Sequence, residues 1–272
     1  MNGRSVARRR IVALRDGTAR PRSDELAGEE PLEIRVGGEA VAVTMRTPGN
    51  DFELALGFCL SEGILAASEQ VESIRYCTGP QGAGDYNVVE LALRSGATVP
   101  EAQRRRTYTT SSCGLCGTAS IEAVRKQAPP VDGDDARLAV TTLVGMPATL
   151  RAAQRTFDRT GGLHAAGLFT TDGTLRCLRE DVGRHNAVDK VVGWAATERL
   201  LPLRGHALLV SGRVAFEIAQ KALLAGIPIV AAVSAPSSLA VDLAAESGMT
   251  LVGFLRGPEL NVYTGGRRLE GL

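Results

Sequence analysis

The clearest pattern of apolar and polar positions lies in the C-terminal third of the chain. HALLV at 206–210, IPIVAAV at 227–233 and MTLVGFL at 249–255 are short apolar runs rich in β-branched residues. Between them, VAFEIAQKALLAG and SSLAVDLAAESG carry apolar residues at helical spacing. Unbroken apolar strands alternating with helices predict β-α-β-α-β, and the right-handed crossovers this requires give a mostly parallel, buried sheet. Upstream, HAAGLF and TLRCLRED read as two strands around an Asp172-Gly173 turn. GRHNAVDKVVGWAATERL follows as a helix with Val188, Val191 and Val192 on one face, and residues 141–157 predict a further helix.

The first half patterns differently. PLEIRVGGEAVAVTMRT alternates apolar and polar residues around Gly37-Gly38, which predicts a hairpin. DFELALGFCLSEGI places Phe52, Leu56 and Cys59 on one helical face and stops at Gly63. NVVELAL at 87–93 reads as another strand. The resulting division is a basic tail over 1–28, a small α+β subdomain over 29–106 and an α/β domain over 107–272. Residues 132–135 read as a loop tip.

Composition narrows the function classes. The 272 residues are 44% hydrophobic and 22% charged, with a net charge of +1, which leaves ample material for a buried core and argues against bulk electrostatic binding to nucleic acid or membrane. The basic start RSVARRRIVALR is expected to be a solvated, mobile end. It has no apolar run and small-residue cleavage site behind it, so no signal peptide is expected. The uncharged stretch at 222–241 is broken by Gly226, Pro228 and Pro236, and reads as buried helix and strand rather than a membrane span. Five cysteines in no disulfide-like spacing suit a reducing cytoplasm.

Two of those cysteines carry the candidate chemistry. In TTSSCGLCGTASIEAV at 109–124, Cys113 and Cys116 stand three apart among hydroxyls and glycines, before an apolar run. A structural zinc site wants four ligands, usually as two close pairs, and Cys59, Cys77, Cys177 and the three histidines offer no second pair; no metal site is expected. A redox dithiol is a second reading. Serine and threonine at 109–112 could cap a helix whose amides would stabilise a thiolate. A sulfur carrier is the third: a nucleophilic thiolate on a glycine-bearing loop that accepts sulfur as a persulfide, with Arg104, Arg105 and Arg106 as flanking charge. Two buried structural cysteines form the fourth, and Ser-Ser-Cys-Gly is a poor core sequence for it. Redox exchange and sulfur transfer ask for the same thiolate, so the residues alone leave both open.

A ligand surface is predicted where the parallel strands end. The three runs lead into Ser211-Gly212-Arg213, into Ser234 with Ser237 and Ser238, and into Arg256-Gly257-Pro258-Glu259. Neighbouring strands would gather these turns on one rim, with hydroxyls and two arginines suited to an anionic, nucleotide-like ligand. No P-loop or GxGxxG accompanies them. In REDVGRHNAVDK, His185 and Asp189 are four apart and on a helix would share a face as an ion pair; His185 could alternatively hydrogen-bond a ligand or shuttle a proton.

These motifs also occur together in a known family. YTTSSCGLCGTASIEA, GLHAAGLF, REDVGRHNAVDKVVG, SGRVAFEIAQKALLAGIPIV, SAPSSLAVDLA, TLVGFLRGPELNVYTG and, earlier, TPGNDFELALGFCLSEGI resemble, in this order, the formate dehydrogenase accessory sulfurtransferases of the FdhD family. The resemblance implies a three-layer fold similar to cytidine deaminases and a cytoplasmic homodimer. It implies a protein that takes sulfur from a cysteine desulfurase and passes it to the molybdenum cofactor, a bis(molybdopterin guanine dinucleotide), for formate dehydrogenase. Guanine nucleotides would occupy the same site. By motif, Cys113 would carry the persulfide, with Cys116 as its companion, and Phe254, Leu255, Arg256, Gly257, Pro258 and Glu259 would contact the cofactor. Ser211, Arg213, Ser234 and His185 join them on the rim. The deaminase likeness is one of fold only, because Ala165-Ala166 follows His164 where a deaminase carries its HxE glutamate. A chaperone that binds the cofactor without chemistry, and a dithiol oxidoreductase, remain the alternatives.

Overall fold

The computed structural model describes residues 5–77, 86–98, 128 and 131–272. Two sheets organise them. The smaller has strand order β4-β3-β6-β5, built from β3 (Glu30–Val36), β4 (Glu39–Arg46), β5 (Val71–Tyr76) and β6 (Val88–Leu93). β3 and β4 form the hairpin predicted around Gly37-Gly38, whose positive φ angles of 59° and 87° suit glycine. Leu32, Ile34, Val89 and Leu91 point from this sheet onto α1 (Asp51–Ser61) and are fully buried. Phe52 departs from its expected place in the helix core. It is 38% exposed and lies 4.7 Å, centroid to centroid, from Tyr76, while Leu54 and Ala55 take its place inside. The helix is packed on both sides, so one apolar stripe does not describe it.

The larger sheet has strand order β13-β12-β11-β10-β8-β9. Its members are β8 (His164–Thr170), β9 (Leu175–Asp181), β10 (His206–Val210), β11 (Ile229–Ala232), β12 (Thr250–Arg256) and β13 (Glu259–Thr264). Only β10, β11 and β12 pair in parallel; β8, β9 and β13 attach antiparallel. The expectation of a mostly parallel sheet is therefore corrected to a parallel centre with antiparallel flanks. Helices cover both faces. One side packs α4 (Arg184–Thr197), α5 (Phe216–Leu224) and α6 (Ser238–Glu246) through residues such as Val188, Val191, Ile218 and Leu243. The other packs α2 (Val140–Ala153) through Leu143, Met146 and Leu150; the short α3 (Arg155–Thr160) follows α2. Each such side chain contributes about 1.5–3 kcal/mol by leaving water. A two-residue parallel pairing of β7 (Leu138–Ala139) with β14 (Leu269–Glu270) ties the C-terminal end back.

The two units meet where α1 crosses α4. A β-carbon at Gly57 would lie 1.8 Å from the Asp189 carbonyl oxygen, and one at Gly193 would lie 1.8 Å from that of Glu53. The two backbones touch, and only glycine allows it. Polar groups caught in this contact are paired. The Lys190 ammonium reaches Asp181 at 2.7 Å and the Thr47 carbonyl at 2.9 Å, and Arg179 grips Glu53 through two bonds of 2.5 and 2.7 Å.

The expected mobile end is corrected over its described part. β1 (Val6–Arg15) and β2 (Thr18–Ala27) form an antiparallel hairpin turning at Asp16-Gly17. Glu25 receives both Arg8 and Arg159, and these hydrogen bonds, Arg159 first, hold its carboxyl down at about 2. Neither face of the ribbon is deeply buried, so the strands leave no hydrophobic alternation to read. The expected loop tip at 132–135 is tied down as well: buried Arg268 donates to the carbonyls of Val131 and Asp134, and Gly205 donates to the Asp134 carboxylate.

Candidate functional site

The loops after β10, β11 and β12 lie side by side and are bonded to one another. Val214 pairs with Pro236 as an isolated parallel bridge, the Val214 amide donates to the Ala235 carbonyl at 3.2 Å, and the Ser237 amide returns to Val214 at 2.9 Å. The Phe254 amide donates to the Ser234 carbonyl at 3.0 Å, and Arg256 Nε donates to the Val233 carbonyl at 3.0 Å. Ser211, Arg213, Ser234 and Phe254 therefore share one rim, as the strand-end argument predicts.

At β12 the rim is shaped by a bulge, because the register slips between Gly253 and Arg256. Phe254 sits in it with φ at 52°, rare for a bulky side chain, and its ring is turned out to 37% exposure. The Arg256 guanidinium stands 5.7 Å from that ring's centre. Gly253 is required beside it, since a β-carbon would come within 2.8 Å of the Pro236 ring. Gly257, at φ 57°, turns the chain into β13, and Pro258 and Glu259 are exposed. Leu255 is the exception within the expected contact run. Its side chain is fully buried in the core between the sheet and α2, because the bulge shifts the alternation by one residue and turns it to the same face as Val252.

At β10 the rim meets β8 and α4. Ser211 Oγ accepts from the Ala165 amide at 2.9 Å, and the Ser211 amide donates back to the Ala165 carbonyl at 2.9 Å, so this hydroxyl fixes the start of β8. A β-carbon on Gly212 would lie 3.3 Å from the His164 ring. Next to it, Arg184 Nε and His185 Nε2 are buried without a hydrogen-bond partner. Glu217 Oε2 stands 3.9 Å from His185 Nε2, too far for a hydrogen bond. Burial, with Arg184 and Lys221 adding to it, lowers the His185 imidazole to about 4, and burial followed by Arg184 also lowers His164. Both rings are neutral at pH 7.

The expected His185–Asp189 ion pair does not form. Asp189 is fully inside, accepting from the Ser61 hydroxyl at 2.5 Å and pairing with Lys221 at 2.9 Å, while His185 faces α5. Burial pushes the Asp189 carboxyl up against the opposing pull of Lys221, and that ammonium is held above its usual range, in spite of burial, by Asp189 and Glu62. Arg184 and Glu217 are rim residues that sequence reasoning missed. Their one signal was REDVGRHNAVDK as a dense polar cluster, and α5's Glu217 reaches it only through tertiary packing. Cys113, Cys116 and Arg104–106 lie outside the described residues. Among the described residues, no three histidine, cysteine or acidic side chains gather as metal ligands.

Helices on both faces of a mixed sheet, with the loops beyond its parallel strands bonded to one another, define an α/β protein. The FdhD/NarQ family profile matches residues 27–270, and the chain belongs to that family. It is similar to the sulfur carrier protein FdhD of Mycolicibacterium paratuberculosis, 59% identical over 97% of this chain and 98% of that protein. Its counterpart in Streptomyces coelicolor, of the same name, is 57% identical over 98% of this chain and 96% of that one. A solved structure from Desulfotalea psychrophila, described as a candidate formate dehydrogenase accessory protein, superposes with a TM-score of 0.76. That pair shares 25% identity and covers 97% of this chain and 99% of the other.

Proposed function

We propose that this chain is a sulfur carrier for formate dehydrogenase maturation. The Cys113 thiolate attacks the outer sulfur of a persulfide on a cysteine desulfurase. That S–S bond breaks, the donor departs as a thiolate, and a new S–S bond leaves Cys113 as the persulfide, with no external oxidant consumed. The terminal sulfur is then delivered to the molybdenum cofactor, a bis(molybdopterin guanine dinucleotide) held on the rim as cargo, and Cys116 assists release or guards against over-oxidation. Arg213 and Arg256 face the phosphates, the exposed Phe254 ring packs on a ring system, and Ser211, Ser234, Gly257, Pro258, Glu259 and His185 complete the lining. Leu255 takes part through its backbone alone. The protein works in the cytoplasm as a homodimer, in a fold akin to cytidine deaminases; among the described residues no helix is long and apolar enough to cross a membrane.

The observation that carries this reading is the near-full-length similarity to proteins named as sulfur carriers. The contiguous rim with its turned-out Phe254 supports the cargo half of it. Intact mass after incubation with a desulfurase and cysteine tests the transfer half. A gain of about 32 Da that Cys113→Ala abolishes is expected, since one sulfur is added to one thiolate. No gain would favour a cofactor-binding chaperone. A reversible Cys113–Cys116 disulfide, with activity lost on replacing either residue, would favour a dithiol oxidoreductase.

A further inference from the structure

The proposed function makes no use of the β1–β2 ribbon, which lies ahead of the family match that begins at residue 27. A two-stranded ribbon is marginal in water by itself, and this one pairs with no third strand. Its foot is anchored. Glu25 is gripped by Arg159 of α3, and a β-carbon on Gly162 would lie 3.5 Å from the Ala27 side chain. Gly162 stands two residues before His164, where β8 starts at the rim, so the ribbon is an arm rooted beside the cargo site. From there each strand covers roughly 30 Å of extended chain.

Residues paired across the two strands share a face. By the register, Arg10, Val12, Leu14, Ala19 and Pro21 lie on one face, and Ala13, Arg15 and Arg20 on the other. Val12 and Leu14 are each 71% exposed. The ribbon carries six arginines against three acids, in a chain whose net charge is only +1. Arg8 and Arg22 are paired with Glu25 and Asp24, whereas Arg10, Arg15 and Arg20 have no acidic partner among the described residues. Exposed apolar side chains flanked by open guanidinium groups have the make-up of a protein-binding surface. A second copy's ribbon would set arginine against arginine. A nucleic acid would leave Val12 and Leu14 in water, and two such side chains are too few to hold the arm in a bilayer. We propose that the ribbon docks on the enzyme that receives the cargo, seating Val12 and Leu14 on an apolar spot of its surface while Arg10, Arg15 and Arg20 meet carboxylates around it. The recipient, unlike the sulfur donor, must come to the rim beside which the arm is rooted. This inference rests on the rim being the cargo site.

Interferometry of the full chain on cofactor-free formate dehydrogenase, at low and at high salt, tests it. The triple variant Arg10→Glu, Arg15→Glu, Arg20→Glu is expected to associate at least roughly tenfold more slowly at low salt and to lose most of the salt dependence, because steering charges act on the on-rate. The double variant Val12→Ser, Leu14→Ser should dissociate about tenfold faster, since it loses buried apolar surface. Both should keep the urea midpoint of wild type and the gain of one sulfur at Cys113. Wild-type kinetics in both variants, or no binding by a wild-type chain that still takes up sulfur, would overturn the docking arm and leave the carrier standing. Loss of sulfur uptake in the variants, or tighter wild-type binding to a DNA duplex or to phosphatidylglycerol vesicles than to the enzyme, would give the ribbon another occupant and overturn the arm as well. A wild-type chain that neither takes up sulfur nor binds the enzyme would overturn the carrier reading itself.

Discussion

Phe254 holds a backbone conformation that its side chain disfavours. A φ of 52° puts the β-carbon against the following carbonyl, a strain of about 1–3 kcal/mol for such a residue, and the ring offsets little of it because it is 37% exposed. Phe254→Gly is therefore expected to leave stability unchanged or raise it by about 1 kcal/mol, read from the urea midpoint. On the proposed function, in which this ring packs on the cargo, delivery of sulfur to the molybdenum cofactor should meanwhile fall by roughly tenfold. A variant that is both destabilised and active would show the ring to be structural. His185 gives a second residue-scale expectation. Its ordinary value of 6.5 falls to about 4 in the folded chain. Between those pH values the unfolded chain binds the extra proton, so stability must decline as the pH is lowered through that window. His164, shifted the same way, adds to the slope. Denaturation midpoints between pH 7 and pH 4 should fall less steeply in His185→Asn than in wild type; parallel slopes would mean that His185 is solvated after all.

Two glycines at one helix crossing decide whether the smaller sheet can dock. With 1.8 Å between a new β-carbon and the opposing carbonyl oxygen, neither Gly57→Ala nor Gly193→Ala can be absorbed by a side-chain rotation. The helices must separate, at a cost of about 3 kcal/mol or more. Gly145→Ala is the control: it lies inside α2 with open space around it, and should be neutral or stabilising by up to about 1 kcal/mol. Denaturant midpoints of the three variants check this, and equal effects would place the crossing elsewhere. Elements of this kind also mark how far the chain could be read. β10, β11 and β12 were legible because unbroken apolar runs admit few other structures, and the rim through Ser211, Arg213, Ser234 and Phe254 followed from them. The Arg-rich ribbon β1–β2 was not legible, since strands exposed on both faces carry no period. The parallel count was overdrawn because the joining of the β8–β9 hairpin and of β13 to the parallel centre is set by long-range pairing that no local pattern records. Arg184 and Glu217 were missed as a pair because they sit on separate helices brought together only by the fold.

At the scale of the molecule, bonds between the two units are too many and too buried for either to unfold alone. Glu53 of α1 is held by Arg179 of β9, Ser61 bonds Asp189, and Glu62 pairs with Lys221 of α5 at 2.7 Å. Thr47 donates its amide to Asp181 and accepts from the Val182 amide, and Asn186 donates to the Met45 carbonyl at 2.8 Å. Separating the units would strip Lys190, Asp181, Asp189 and Lys221 of part of these contacts while they remain inside, and an uncompensated buried charge costs several kcal/mol. One cooperative transition is therefore expected. The single tryptophan, Trp194, lies on α4 against the larger core and reports that side, whereas far-UV circular dichroism reports both sheets. The two signals should coincide through a urea titration. Lys190→Met, which leaves Asp181 without its cation, should move both together by about 3–5 kcal/mol. If fluorescence and dichroism part company, or if the variant shifts only one, the units are held by something weaker than this buried network, and the rim owes its geometry to the larger sheet alone.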